Sequence, residues 1–323
     1  MKKNIKEVLL NKPINQLQLF GYEDCFNSFK ELFDKNILPN SILISGQKGL
    51  GKSTFIYHFI NYLLSQNEEN EYLLSNFSIN PYNTTYKLIK ANTHPNFFLV
   101  KNEDTNKSIK IEQIRLLNQF LNKTSYKKNL KIVMIDDAEF LNLNSANALL
   151  KTLEEPTKNT FFFLIQNSNF KILDTIKSRC HEFKFSFQIS KKTSIFKNIL
   201  NQYGNNKNID EVINYLNYDT PGNLIKYLFI LQNKNLSLTE NKLKTIFLFI
   251  EEYKLKKDSE LLYFIKSFIE KFYNELCLKN LKNFNTYFFN LLRILEKIND
   301  MKKYNLDEKN TFLWIENILI NES

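Results

Sequence analysis

At 323 residues the chain is long enough for two or three domains of roughly 100–200 residues. Its 43% hydrophobic and 14% aromatic content excludes wholesale disorder, and only 6 glycines and 6 prolines argue against a loop-rich β sandwich and for long helices. The net charge of +10 permits contact with nucleic acid, but the excess is nearly all Lys (Arg occurs only at Arg115, Arg179 and Arg293); with so much Asn, Ile, Phe and Tyr, an AT-rich genome accounts for the charge more simply.

Met1-Lys2-Lys3-Asn4-Ile5-Lys6 is basic, yet the following Val8-Leu9-Leu10 is too short for a signal peptide. No apolar run, Phe161 to Ile165 included, approaches the ~20 residues of a membrane span. Cys25, Cys180 and Cys277 stand far apart and form no C-x-x-C pair, which suggests neither zinc nor a disulfide scaffold and fits a reducing cytoplasm.

Ser41-Ile42-Leu43-Ile44-Ser45 reads as a buried strand, and Phe55, Ile56, Phe59, Ile60, Leu63 and Leu64 follow at helical spacing. Phe97 to Val100 is a second strand, Ile111, Ile114, Leu117 and Leu121 a helix face, Lys131 to Ile135 a third strand and Phe161 to Ile165 a fourth. Strands alternating with helices predict a parallel sheet covered on both faces, over residues 1–186. Beyond it the strand signals stop. Ile195, Ile199 and Leu200, then Val212, Ile213 and Leu216, then Leu224, Tyr227, Leu228 and Leu231 predict a small helical domain over 187–233. Gln232 to Asn235 is a polar break. Ser237-Leu238-Thr239-Glu240 has the spacing of a capping box, and apolar faces from Leu243 through Ile318 predict an all-helical domain over 234–323.

Gly46-Gln47-Lys48-Gly49-Leu50-Gly51-Lys52-Ser53 matches G-x-x-x-x-G-K-[ST] in full, between a predicted strand and a predicted helix. Gly46, Gly49 and Gly51 let the backbone curl so that its N–H groups converge on phosphate, helped by the positive helix end at Ser53 and Thr54. Lys52 would reach the β and γ phosphates of a nucleotide and the Ser53 hydroxyl would ligate Mg²⁺. Half of the chain's 6 glycines lie in this loop. Ile132-Val133-Met134-Ile135-Asp136-Asp137 is an apolar strand ending in acids. Asp136 would complete the Mg²⁺ shell, and Asp137 would polarise the attacking water.

Asn147-Ala148-Leu149-Leu150-Lys151-Thr152-Leu153-Glu154-Glu155-Pro156, followed by Ser178-Arg179-Cys180, resembles the clamp-loader branch of the AAA+ ATPases, the subunits that serve bacterial DNA polymerase III. His94-Pro95-Asn96 and Ile111-Glu112-Gln113-Ile114-Arg115 agree with it, and the match covers residues 15–225. The resemblance implies a RecA-like α/β AAA+ domain, a helical lid and an all-α collar domain. It also implies a hetero-oligomeric ring that places a sliding clamp on primed DNA, with gamma/tau and delta-like subunits as partners and clamp and primer-template DNA met through the complex. Arg179 takes the place of the arginine finger that acts on a neighbour's γ phosphate, and Asn167 that of sensor 1, although Asn is so common here that its type alone adds nothing. Cys180 beside the finger reads as a packing residue.

Three departures bear on activity. Asp137 stands where hydrolysing subunits carry the longer Glu. The Thr220-Pro221-Gly222-Asn223-Leu224 stretch resembles the sensor 2 helix start but has Gly222 or Asn223 in place of Arg. Asn67 to Tyr86, where many relatives carry a zinc module, has no cysteine, so no zinc is expected. The pattern implies a subunit whose own ATPase is weak or absent but whose finger is intact; the alternative is a gamma/tau-like motor, with a DNA-remodelling AAA+ protein a distant third. Phe249, Tyr253 and Trp314 are core by default and collar contacts only where exposed, and Lys123, Lys127, Lys128 and Lys131 are a candidate DNA-facing patch, though such a run is more often a solvated face.

Overall fold

The computed structural model describes residues 12–102, 108–123, 130–203, 212–213, 219–233, 242–257 and 259–322. The basic start, Lys127, Lys128, Leu216 and the capping box at 237–240 lie outside them.

The chain divides into two compact units, Met1–Ile209 with Leu216–Phe229, and Asp210–Tyr215 with Ile230–Ser323. The first is built on five parallel strands, β1 (Ser41–Gly46), β2 (Phe97–Val100), β3 (Lys131–Ile135), β4 (Thr160–Asn167) and β5 (His181–Lys184), in the order β2-β3-β4-β1-β5. Every residue of β1 and β3 is buried, as expected of central parallel strands covered on both faces.

Strand alternation sorts the side chains into two cores. Ile42, Ile44, Ile132, Met134, Phe163 and Ile165 face α1 (Glu23–Asp34) and α2 (Lys52–Ser65). Leu43, Val133, Ile135, Phe162 and Leu164 face α4 (Ile111–Asn122) and α5 (Leu143–Glu154) on the other side. This is the doubly covered α/β sheet expected from the sequence.

Helix α2 is buried around its circumference, from Phe55 to Ser65 without a break. Phe55 and Phe59 meet Phe29 edge to face, with centroids 5.2 and 5.6 Å apart. Burial of each such ring is worth roughly 1.5–3 kcal/mol. Among the polar residues of α2, Asn61 donates to Asn83 Oδ1 at 3.3 Å but leaves its own Oδ1 buried and unpaired. His58 is held between the Tyr72 hydroxyl at Nδ1 and the Gln16 carbonyl at Nε2, each at 3.0 Å. Because a carbonyl only accepts, Nε2 carries the proton and Nδ1 accepts from Tyr72.

The cysteine-free segment after α2 is tied by amides. Asn83 caps α3 (Thr84–Lys90) at Tyr86 N and donates to Asn70 O, both at 2.6 Å, while Glu68 accepts from the Thr85 hydroxyl at 2.6 Å. Asn142 caps α5 by accepting from Ser145 N at 2.9 Å. Ala146, Leu149 and Leu153 form its buried stripe. Pro156, with no N–H to donate, lies just past its end. Helix α6 (Asp174–Lys177) precedes β5, and α7 (Ile189–Tyr203) and α8 (Pro221–Asn233) follow it, α8 entering the predicted polar break as far as Asn233.

In the second unit α9 (Lys242–Lys256), α10 (Ser259–Lys279), α11 (Phe284–Tyr304) and α12 (Glu308–Asn321) pack side by side. Ile246, Phe249, Ile250 and Tyr253, then Leu291, Ile294, Ile298 and Met301, then Phe312, Ile315 and Leu319 recur at helical spacing and are buried. Phe249 and Tyr253 are thus core rather than contact residues, because α9 turns them onto Phe268 and Phe312, with ring centroids at 5.1 and 5.5 Å. Trp314 is half-buried, with the Arg293 guanidinium 5.2 Å over its ring. No described helix is long and apolar enough to cross a membrane.

Candidate functional site

The glycine-rich loop leaves β1 at Gly46 and enters α2 at Lys52. Gly49 and Gly51 adopt left-handed φ values of 86° and 90°, which side chains with a Cβ resist. Lys52 folds back over the loop and donates to the Gly46 and Gln47 carbonyls, each at 2.8 Å. Burial pushes its ammonium down to about 8, against the pull of Glu139, Asp136 and Asp137. The Ser53 hydroxyl donates to Asp136 Oδ1 at 2.9 Å, so the two candidate Mg²⁺ ligands already touch. Burial raises the Asp136 carboxyl to about 6, with the neighbouring Asp137 charge adding to it and the Ser53 hydrogen bond opposing. Thr54 is half-buried in the first turn of α2.

Register brings the remaining sheet residues alongside. Gly46 pairs with Asn167, so the candidate sensor at the end of β4 lies next to the start of the loop. The Asn167 side chain turns onto its own loop, accepting from Asn169 N at 3.2 Å. Its backbone N–H donates to Glu139 Oε2 at 3.2 Å. Burial raises Glu139 to about 7, and it is the acid whose charge acts most on Lys52. Sequence reading passed over Glu139, although an acid three residues beyond Asp136 on a turn was the available signal. Asp137 holds a left-handed φ of 57° at the start of that turn.

A second omission is the roof of the loop. The Thr220 hydroxyl donates to Lys48 O and Gly222 N to Gly49 O, both at 2.9 Å, and the Tyr22 hydroxyl donates to Leu50 O at 3.0 Å. The start of α8 therefore rests on the loop where a sensor 2 Arg was missing from the sequence. A Cβ on Gly222 would come within 2.7 Å of Gly49 O, which is why no side chain occupies that position. Buried Asp219 organises this start, accepting from Thr220 N at 2.7 Å, Asn223 Nδ2 at 2.8 Å and the Tyr227 hydroxyl at 2.7 Å.

Arg179 belongs to a different region of the first unit. Its guanidinium contacts Glu154 at the end of α5 through Nε and Nη2, and Nη1 donates to Thr175 O at 2.9 Å. Its side chain keeps 31% exposure. The adjoining Cys180 packs against the core on the α4–α5 side, and burial pushes its thiol up to about 12. Lys131 is not a surface cation. It is buried, and its ammonium donates to the Phe120 and Leu121 carbonyls at 3.2 and 2.6 Å, satisfying the end of α4. Lys123 is exposed.

The strand order, the loop between β1 and α2, and the acids closing β3 define the architecture of the AAA+ class. The profile of the family described as "DNA polymerase III, delta subunit" matches residues 21–188, and the chain belongs to this family. It is 35% identical over 141 residues to DNA polymerase III subunit delta' of Pseudomonas aeruginosa, covering 44% of this chain and 41% of that one. It is 30% identical over 194 residues to the delta' subunit of Buchnera aphidicola (Schizaphis graminum), covering 59% and 55%. A DNA polymerase III subunit gamma from the same Buchnera is 29% identical over 198 residues, covering 60% and 52%. The chain spans about half the length of the curated relatives it matches.

Proposed function

We propose that this chain is a delta-prime-like subunit of a DNA polymerase III clamp loader, helping to place a sliding clamp on primed DNA and offering Arg179 to ATP held by a neighbouring subunit. The observation that carries the reading is the placement of Arg179. Its guanidinium is partly exposed and anchored to α5 and α6, while the chain's own loop is served by Lys52. A fixed cation brought to a neighbour's γ phosphate accelerates phosphoryl transfer by on the order of 10³–10⁵.

The chain's own loop retains the groups that fit Mg²⁺ and triphosphate. Lys52 would hold the β and γ phosphates, backbone N–H groups around Gly46, Gly49 and Gly51 would line them, and Ser53 and Asp136 would hold the metal. Bound ATP would supply the phosphoryl group. Two features favour weak or absent hydrolysis here. Asp137 is one methylene short of Glu, and a carboxylate displaced by ~1 Å forfeits on the order of 10² in rate. At the sensor 2 position the start of α8 brings Thr220 and Gly222 onto the loop instead of an Arg.

We assign the collar role to residues 234–323 and the lid role to 187–233, with gamma/tau and delta-like subunits as partners, the clamp and primer-template DNA met through the complex, and a cytoplasmic location. Phe284, Phe288 and Leu292 of α11, exposed at successive i, i+4 positions, support an assembly role.

Reconstitution with gamma/tau and delta-like subunits tests the proposal through DNA-stimulated ATP turnover and clamp loading. Arg179→Ala is expected to abolish both while Lys52→Ala leaves most of each. Untouched turnover in Arg179→Ala overturns the reading. Loss on Lys52→Ala alone, with turnover by the isolated chain, establishes the motor alternative, which the intact loop favours.

A further inference from the structure

Arg179 is a long, partly exposed side chain, and three polar neighbours converge on its guanidinium. Glu154 is the last residue of α5, and its Oε1 receives both Nε and Nη2. The Thr175 carbonyl of α6 receives Nη1 at 2.9 Å, and the Ser178 hydroxyl lies 3.3 Å from the same nitrogen. A carboxylate at the end of α5 and a backbone carbonyl of the single-turn α6 thus meet at one cation.

We propose that Glu154 is a positioning residue for Arg179, gripping one edge of the guanidinium so that its remaining donors face outward. This rests on the reading of Arg179 as a finger. A guanidinium has five N–H donors in a rigid fork. The clasp takes the Nε donor, one on Nη2 and one on Nη1. A second Nη2 donor is left over, and the long contact to Ser178 is easily exchanged for a phosphate oxygen. Because the fork is planar, fixing the Nε edge also fixes the direction of the opposite edge.

Stability is a poor explanation for this pair. The Glu154 side chain is 47% exposed and that of Arg179 31%, and ion pairs so open to water and salt contribute little to folding. The arrangement also gives a role to the acid in Leu153-Glu154-Glu155-Pro156, a block otherwise explained only by the buried stripe of α5.

The test uses the full chain reconstituted with gamma/tau and delta-like subunits, with kcat and KM for ATP measured separately. Glu154→Ala should lower kcat by about 10-fold with KM within about 2-fold, since it misdirects a group needed only in the transition state. Glu154→Gln keeps an acceptor oxygen and should recover kcat to within about 3-fold of wild type, and both variants of the isolated chain should melt with the wild type. Wild-type or faster turnover in Glu154→Ala while Arg179→Ala is inactive refutes the clasp and leaves the finger standing. A loss that Glu154→Gln does not recover, or that comes with a lowered melting temperature, also refutes it. Full activity in Arg179→Ala removes the finger and the clasp together.

Discussion

Replacement of Gly49 by Ala tests whether the start of α8 is locked to the loop. A Cβ at Gly49 would lie 2.2 Å from Thr220 Oγ1 and 3.0 Å from Asn223 Oδ1, at a φ of 86°. The left-handed conformation alone costs an Ala roughly 1–2 kcal/mol. Relieving the clash means moving Thr220 and Gly222 off the loop, and the hydrogen bonds to Lys48 O and Gly49 O contribute about 1 kcal/mol each. The expected destabilisation is about 3–4 kcal/mol, a fall in melting temperature of roughly 6–15 °C for a unit of this size. Gly51→Ala is the control. It has a similar φ of 90°, but its Cβ would meet only Tyr22 at 3.7 Å. It should therefore cost only the backbone share, about 1–2 kcal/mol. Calorimetry or urea titration of the two variants in parallel decides the matter. If Gly49→Ala is no worse than Gly51→Ala, the lock between loop and helix makes no contribution.

His58 sets a pH dependence. Burial holds its imidazole down at about 4, so the folded form keeps it neutral while the unfolded chain takes up a proton near 6.5. Its stabilising contribution is therefore full above pH ~6.5 and lost as pH falls to ~4, a change of roughly 3 kcal/mol. Asp136 and Glu139, raised to about 6 and about 7, act in the opposite sense, so the effect is read as the difference between wild-type and His58→Gln urea curves from pH 7 to 4. A constant difference would contradict it. Lys131→Met leaves the carbonyls at the end of α4 without their buried donor and should cost about 1–3 kcal/mol in urea unfolding, whereas Lys123→Met, at an exposed position, should stay within about 0.5 kcal/mol. Cys180, with its thiol near 12, should react with iodoacetamide at pH 8 at least ~10-fold more slowly in the native protein than in urea, and equal rates would contradict its burial.

Much of the first unit was legible because parallel strands buried on both faces leave continuous apolar runs such as Ile42-Leu43-Ile44 and Phe161 to Ile165. The placement of the loop between β1 and α2, with Lys52 and Ser53 opening the helix and Asp136 following β3, was legible as well, since the glycine spacing and the apolar run of β3 fix it. What escaped the sequence depends on contacts distant along the chain. Thr220 and Gly222 meet Lys48 and Gly49, and no local pattern announces that pairing. Helical periodicity marked Phe249 and Tyr253 as apolar but could not tell a face turned to a neighbouring helix from one turned outward. Lys131 looked like surface charge because a cation spent on helix carbonyls has the same letter as one in solvent. Glu154 lay within a block already recognised, but its partnership with Arg179 requires α5 and α6 to end at the same place.

Helix α2 is enclosed on all sides, and this limits how the molecule can respond to events outside it. An axle wedged among its neighbours neither slides nor tilts without tearing open the interior. Movement in the first unit is therefore left to its rim, at the tip of α8 resting on the loop or the charged corner where α5 and α6 finish, while the middle serves as a fixed reference for both.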